Sequence, residues 1–168
     1  MFRTLIKTLQ LLNSETGSWQ LAFGASFGII LGLTPLLNLH NLLVLLLICL
    51  LRVNISFVLL FMGLAAAVAY LFDNQFHQLG YQLLNAPSLL PLWTDWYNDA
   101  ALRWSRFNNT VVLGSVVVSL ILFFPAALVM RLAVVQYRQR WQKKLEQTTL
   151  MRYLKASRWT EAFTKLGE

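Results

Sequence analysis

The chain is poor in the side chains that do chemistry. Among its 168 residues there is one cysteine, Cys49, two histidines, His40 and His77, and seven acidic residues. A lone cysteine excludes an intramolecular disulfide, and its place inside a run of leucines makes it a small apolar filler. With so few imidazoles and thiols, and no close acidic pair in the apolar stretches, neither a zinc site nor paired-carboxylate chemistry has its ligands. Phosphate-binding glycine loops are absent too, so no catalytic residue, metal or cofactor is expected and the protein is read as non-enzymatic. The opening Phe2-Arg3-Thr4-Leu5-Ile6-Lys7 is amphipathic rather than leader-like, and insertion is expected to use internal apolar segments.

Apolar residues are abundant. They make up 57% of the chain against 12% charged, which is outside the range of ordinary soluble domains and points to an integral membrane protein. The central stretch, residues 22–54, reads AFGASFGIILGLTPLLNLHNLLVLLLICLLRVN, two apolar arms joined by a polar turn with a proline. The arms are expected to be helices over 19–33 and 39–51. At 1.5 Å per residue, arms of about 14–16 residues reach about 21–24 Å, short of a hydrocarbon core of about 30 Å. Residues 19–51 therefore form either two short spans or a re-entrant hairpin, whose irregular tip would need its backbone satisfied within the protein.

The rest of the membrane domain, 19–130, follows by composition. Residues 53–72 form a span long enough to cross, and residues 110–130 form the clearest span, with Ser115 and Ser119 on one face and a kink expected at Pro125. Between them, 73–109 carries Pro87, Pro91, Trp93, Trp96, Tyr97 and Trp104 and is expected to lie as external interfacial helices. Residues 1–18 place Phe2, Leu5, Ile6, Leu9 and Leu12 on one face, as an amphipathic interfacial helix does. Nine of the fourteen Lys and Arg lie in the tail, 131–168, interleaved with Trp141, Leu145, Leu154 and Trp159. That mixture suits an anionic leaflet better than nucleic acid, and the positive charge places both termini in the cytoplasm. The fold class is thus all-α, with a short hairpin, two longer transmembrane helices and amphipathic interfacial helices.

Candidate sites are few. Thr34, Pro35, Asn38, His40 and Asn41 form the polar turn at the start of the second arm, where free NH groups could hold a lipid phosphate or another anion; the plain alternative is that Asn41 caps the helix and His40 faces water. Arg52 and Asn54 close the second arm and could steer a headgroup, or Arg52 could fix topology by snorkelling. Gly24, Gly28 and Gly32 recur every four residues, a packing groove for which the face carrying Gly63 and Ala67 is the expected partner. Asp73 and His77, four apart, are read as a solvated interfacial pair.

The run Gly24-Ala-Ser-Phe-Gly28, then Gly32-Leu-Thr34-Pro35, His40 and Leu50-Leu51-Arg52-Val53-Asn54 resembles the signature of an uncharacterised family of small bacterial inner-membrane proteins, over residues 19–80. The resemblance implies a multi-pass protein of the bacterial cytoplasmic membrane and supplies no activity. Two functions are carried forward. The first is a non-enzymatic component handling lipid or another amphiphile at the hairpin turn, as a homo-oligomer or with a partner membrane protein. The second is a structural anchor or assembly subunit for a larger membrane-associated protein.

Overall fold

The computed structural model describes residues 16–140; the amphipathic segment expected over 1–12 and the basic tail beyond Arg140 lie outside the described residues. Among the described residues every regular element is a helix. They are α1 (Ser18–Leu33), α2 (Leu39–Leu50), α3 (Ile55–Leu84), α4 (Leu90–Asn98), α5 (Ala100–Arg103) and α6 (Thr110–Arg140). Residues 16–131 form one compact unit, and the last turns of α6, from Leu132, lie outside it. All the packing contacts below lie within this unit.

Helix α1 is the axis of this unit. It is apolar on every side, and eleven of its sixteen residues are buried, from Leu21 to Leu33. A helix without a polar face has to be surrounded, and here its neighbours are α2, α3 and α6. It starts with Gly17 at the cap and Gln20 reaching back to the Gly17 NH, and it ends at Thr34, whose extended backbone is the conformation Pro35 imposes on the residue before it.

Three observations fix the path of the chain. At the far end of α1, Thr34 meets Asn41 near the start of α2; at the near end, the Asn54 NH donates to the Gln20 carbonyl at 3.4 Å. Helix α2 therefore runs back alongside α1, and α3 sets out again in the direction of α1. The α1–α3 contact is a backbone-on-backbone one. A methyl group on Gly24 would stand 2.8 Å from the Asn54 carbonyl oxygen; on Gly28 it would run into the Val58 carbonyl, and on Gly32 into that of Met62. Glycines four apart meet carbonyls four apart, so the two helices share one register along three turns.

Helix α6 returns antiparallel to α3. Its start is wedged against the far half of α3, where a methyl group on Gly80 would collide with the Thr110 carbonyl and one on Gly114 with that of Phe76. Further along, Phe123 packs on Phe27 with ring centres 5.0 Å apart, and the Arg131 guanidinium lies 4.4 Å over the Trp19 ring.

Several expected boundaries shift. The third apolar segment does not stop at Phe72: α3 runs on to Leu84, because Asp73 to Leu84 is helix-compatible and Gly80 lets α6 press against it. Only α4 and α5 then remain of the short helices expected over 73–109, and neither has a buried residue. They are tied down by Trp93, whose indole NH donates to the Leu83 carbonyl at 2.9 Å, and by Phe107, stacked on Trp93 and edge-on to Trp96. The last apolar segment likewise passes Met130, and α6 continues as one helix through Pro125 to Arg140.

Two helices, α3 and α6, are long and apolar enough to cross a membrane, about 45 Å each at 1.5 Å per residue. In their most apolar stretches only 22% and 33% of residues are buried. The core helix of a soluble protein would be mostly covered; here Leu59, Leu64, Leu71, Ile121, Phe124 and Val129 are exposed.

Candidate functional site

The turn between α1 and α2 is built by two side chains. Thr34 is 3% exposed and Asn41 2%. The Thr34 hydroxyl stands 2.8 Å from the Ile30 carbonyl and 3.0 Å from Asn41 Oδ1, so its one proton serves both acceptors. Asn41 Nδ2 donates to the carbonyls of Pro35, at 2.9 Å, and Leu36, at 3.3 Å. Asn38 Nδ2 donates to the same Pro35 carbonyl at 2.8 Å. The carbonyls of Pro35 and Leu36 are thus satisfied from inside the protein.

Asn41, a candidate cap of α2 from its place in the sequence, does not cap it. The cap position belongs instead to Asn38, in extended conformation and without a side-chain cap bond, while Asn41 lies one turn inside the helix. Two polar atoms are left over. Asn38 Oδ1 and His40 Nε2 are sealed from solvent and have no hydrogen-bond partner. His40 Nε2 can donate or accept according to tautomer, and Asn38 Oδ1 accepts.

The outward side of the turn is apolar. Leu37 is 89% exposed and Leu36 59%. Helix α2 continues this surface: only Asn41, Val44 and Ile48 are buried, and Leu42, Leu43, Leu46, Leu47 and Leu50 point away from the unit.

Arg52 and Asn54 do not join this site. They sit at the other end of α2, about 18 Å along a twelve-residue helix. Arg52 has φ 49°, the left-handed residue that closes a helix, and Asn54 accepts the Phe57 NH at 3.1 Å as the cap of α3. The Arg-x-Asn that ends the sequence signature is a helix stop followed by a helix start.

The glycines divide in the same way. Gly24, Gly28 and Gly32 face α3, yet the face they meet is Phe57, Phe61 and Ala65, not the one carrying Gly63 and Ala67. Both of those are exposed, and a methyl group on Gly63 would meet nothing within 4 Å. The expected partner face is therefore corrected by about 160° around the helix, the turn made by two residues at 3.6 per turn, so Gly63 and Ala67 lie on the side of α3 away from α1. Sequence reading missed Gly80 and Gly114; the available signal was a glycine beside the Ser115 and Ser119 face, and both serines are fully buried. His77 does not pair with Asp73 but places Nδ1 2.6 Å from the Thr110 hydroxyl. Among the described residues no three of His, Cys, Asp and Glu gather where they could hold a metal.

Fold and turn together define an all-helical protein with two helices capable of crossing a membrane and a short, internally bonded hairpin beside them. The chain belongs to a family described as an uncharacterized protein conserved in bacteria (DUF2062), whose profile matches residues 1–143. It is similar to an uncharacterized protein of Treponema pallidum (strain Nichols), 27% identical over 150 residues that cover 89% of this chain and 93% of that one. No solved structure matches.

Proposed function

We propose that the protein is a non-enzymatic component of the bacterial cytoplasmic membrane that engages lipid or another amphiphile at the α1–α2 turn. The observation that carries this reading is the turn's inverted polarity: Leu37 is outermost at 89% exposed, while Thr34 and Asn41 are buried beneath it. A loop made for water does the reverse. Asn38 Oδ1 and His40 Nε2, covered and left without partners, supply an acceptor and, in the Nε2–H tautomer, a donor for the polar end of such a molecule when the turn opens to admit it. In this reading the end of the unit that carries Arg52, and Arg131 over Trp19, is the cytoplasmic one, in keeping with the positive-inside rule. The test is native mass spectrometry of protein released from membranes. Wild type is expected to retain phospholipid and an Asn38→Leu, His40→Leu chain to lose it, with Thr34 and Asn41 untouched so that the turn still closes; equal retention in both overturns the reading.

A second reading rests on a separate observation. The open position at Gly63, with exposed Ala67 one turn on, admits a closely approaching helix of a second copy or of a larger assembly. An anchor of this kind would lose its partner on Gly63→Leu while keeping its own stability, as read by co-purification; undisturbed co-purification removes it.

A further inference from the structure

The chain carries two rulers for the depth of the hairpin. On α3, the last turn of α1 lies beside Met62, Ala65 and Ala66, since those are the atoms a methyl group on Gly32 would strike. The apolar run of α3 continues from there to Phe72, and Asp73 is its first charge, seven residues or about 10 Å past Ala66. On α6, the matching level is Phe123, packed on Phe27. From Phe27 to the end of α1 at Leu33 is six residues, about 9 Å, whereas from Phe123 to the start of α6 at Thr110 is thirteen, about 20 Å. Both helices overshoot the end of α1 by about 10 Å, and on α3 that length presents exposed Val68, Tyr70, Leu71 and Phe72.

The other end of the hairpin coincides with theirs. Ser18 opens α1 where Asn54 opens α3, Arg52 closes α2 there, and Arg131 reaches Trp19. The hairpin therefore starts at the charged end and stops short of the opposite one.

We infer that α1 and α2 form a re-entrant hairpin that enters and leaves at the cytoplasmic face, with Pro35, Leu36 and Leu37 in the hydrocarbon of the bilayer rather than in water beyond it. The inference rests on the membrane insertion proposed above and is independent of lipid binding at Asn38 and His40. Irregular backbone survives at that depth only when its polar groups are bonded within the protein, because each unsatisfied group in hydrocarbon is costly. The two carbonyls of the tip, those of Pro35 and Leu36, are bonded in this way: Asn41 holds both, Asn38 Nδ2 adds a bond to Pro35 and the Asn38 NH one to Leu36 at 3.0 Å, and Thr34 closes the end of α1. The lipid-facing leucines of α2 extend the same surface back to Arg52. The occupant of this surface is acyl chain, since the surface joins without interruption the exposed apolar sides of α3 at Ile55 and Leu59.

The experiment uses the full chain with Cys49→Ala and one new cysteine, Leu37→Cys, with Leu36→Cys as a second variant. Gly17→Cys and Ser88→Cys report the two aqueous faces. A membrane-impermeant maleimide applied to right-side-out and inverted vesicles is expected to label each control from its own side and Leu37→Cys from neither. Bimane at the same cysteine is expected to be quenched by phospholipids brominated along the acyl chain. Labelling from outside overturns the inference in favour of two full spans. Labelling from the cytoplasmic side overturns it in favour of a water-filled cavity, and bimane that bromolipids do not quench overturns it in favour of a protein-covered tip. Lipid retention by native mass spectrometry is a separate readout, so loss of either conclusion leaves the other measurable.

Discussion

Thr34 and Asn41 meet across the hairpin turn, hydroxyl to side-chain carbonyl at 3.0 Å, and the pair carries out the bonding that a surface loop leaves to water. Removing one partner leaves buried polar groups unmatched, at a cost of about 1–3 kcal/mol. Thr34→Val, which keeps the shape, is expected to lose that amount in a denaturant titration in mixed micelles, and Thr34→Ser to recover most of it. Asn41→Leu is expected to cost more than Thr34→Val, because it strips donors from both Pro35 and Leu36. A Thr34→Val chain as stable as wild type would show the turn to be held by something else.

The α1–α3 contact predicts a contrast between glycines. Gly28→Leu forces a side chain into the Val58 carbonyl and Phe61, and overpacking of this kind costs about 1–3 kcal/mol or more. Gly63→Leu enters open space and is expected to stay within about 0.5 kcal/mol of wild type, as surface changes do. The same unfolding titration compares them. Equal losses at the two positions would contradict the register of the helices.

The stop and start at Arg52 and Asn54 can be separated by substitution. Arg52 occupies the left-handed region, which costs a side-chain-bearing residue about 1–2 kcal/mol, so Arg52→Gly is expected to raise stability or leave it unchanged, and Arg52→Val to lower it. Asn54→Ala removes the cap on the Phe57 NH and is expected to cost about 1 kcal/mol. Thermal unfolding in detergent, followed by helical circular dichroism, ranks the three. A destabilised Arg52→Gly would mean that the guanidinium, not the backbone, is what the position requires.

Gly80 and Gly114 should act as a unit. Each substitution to alanine pushes α3 and α6 apart at one crossing, and once they have separated the second methyl group meets less resistance. The double variant is expected to lose clearly less than the sum of the singles. Strict additivity would mean that the two glycines relieve independent collisions.

Much of the helical content was legible in the sequence for a plain reason. Apolar runs bounded by Pro35, Arg52 and Asn109 can only be helices if they are to bond their own backbones, and α1 and α2 fall within a residue of the expected 19–33 and 39–51. The ends of α3 and α6 were not legible in the same way. Polar residues from Asp73 to Gln82 mark the end of an apolar run, but they do not end a helix, and nothing local forbids its continuation to Leu84. The glycine stripe announced a close approach, yet the face it would meet depends on how α3 is rotated. Small residues at Gly63 and Ala67 look suited to that role, and the bulky Phe57 and Phe61 fill it by turning their side chains past a backbone that the glycines leave bare.

Taken alone, the sequence determined composition, the places of the apolar helices and the polar character of the hairpin turn, because these depend on which residues adjoin along the chain. It also determined the signature Arg52-x-Asn54, though as a string without a role. Only the tertiary structure decided that Thr34, Asn38 and Asn41 turn inward, that Leu37 turns outward, and that Arg52 and Asn54 stand a helix-length away from them. Those are statements about direction and depth. They depend on α1 being held at one register against α3 and α6, and a register set by glycine, carbonyl and aromatic contacts between distant segments is not written in any one of them.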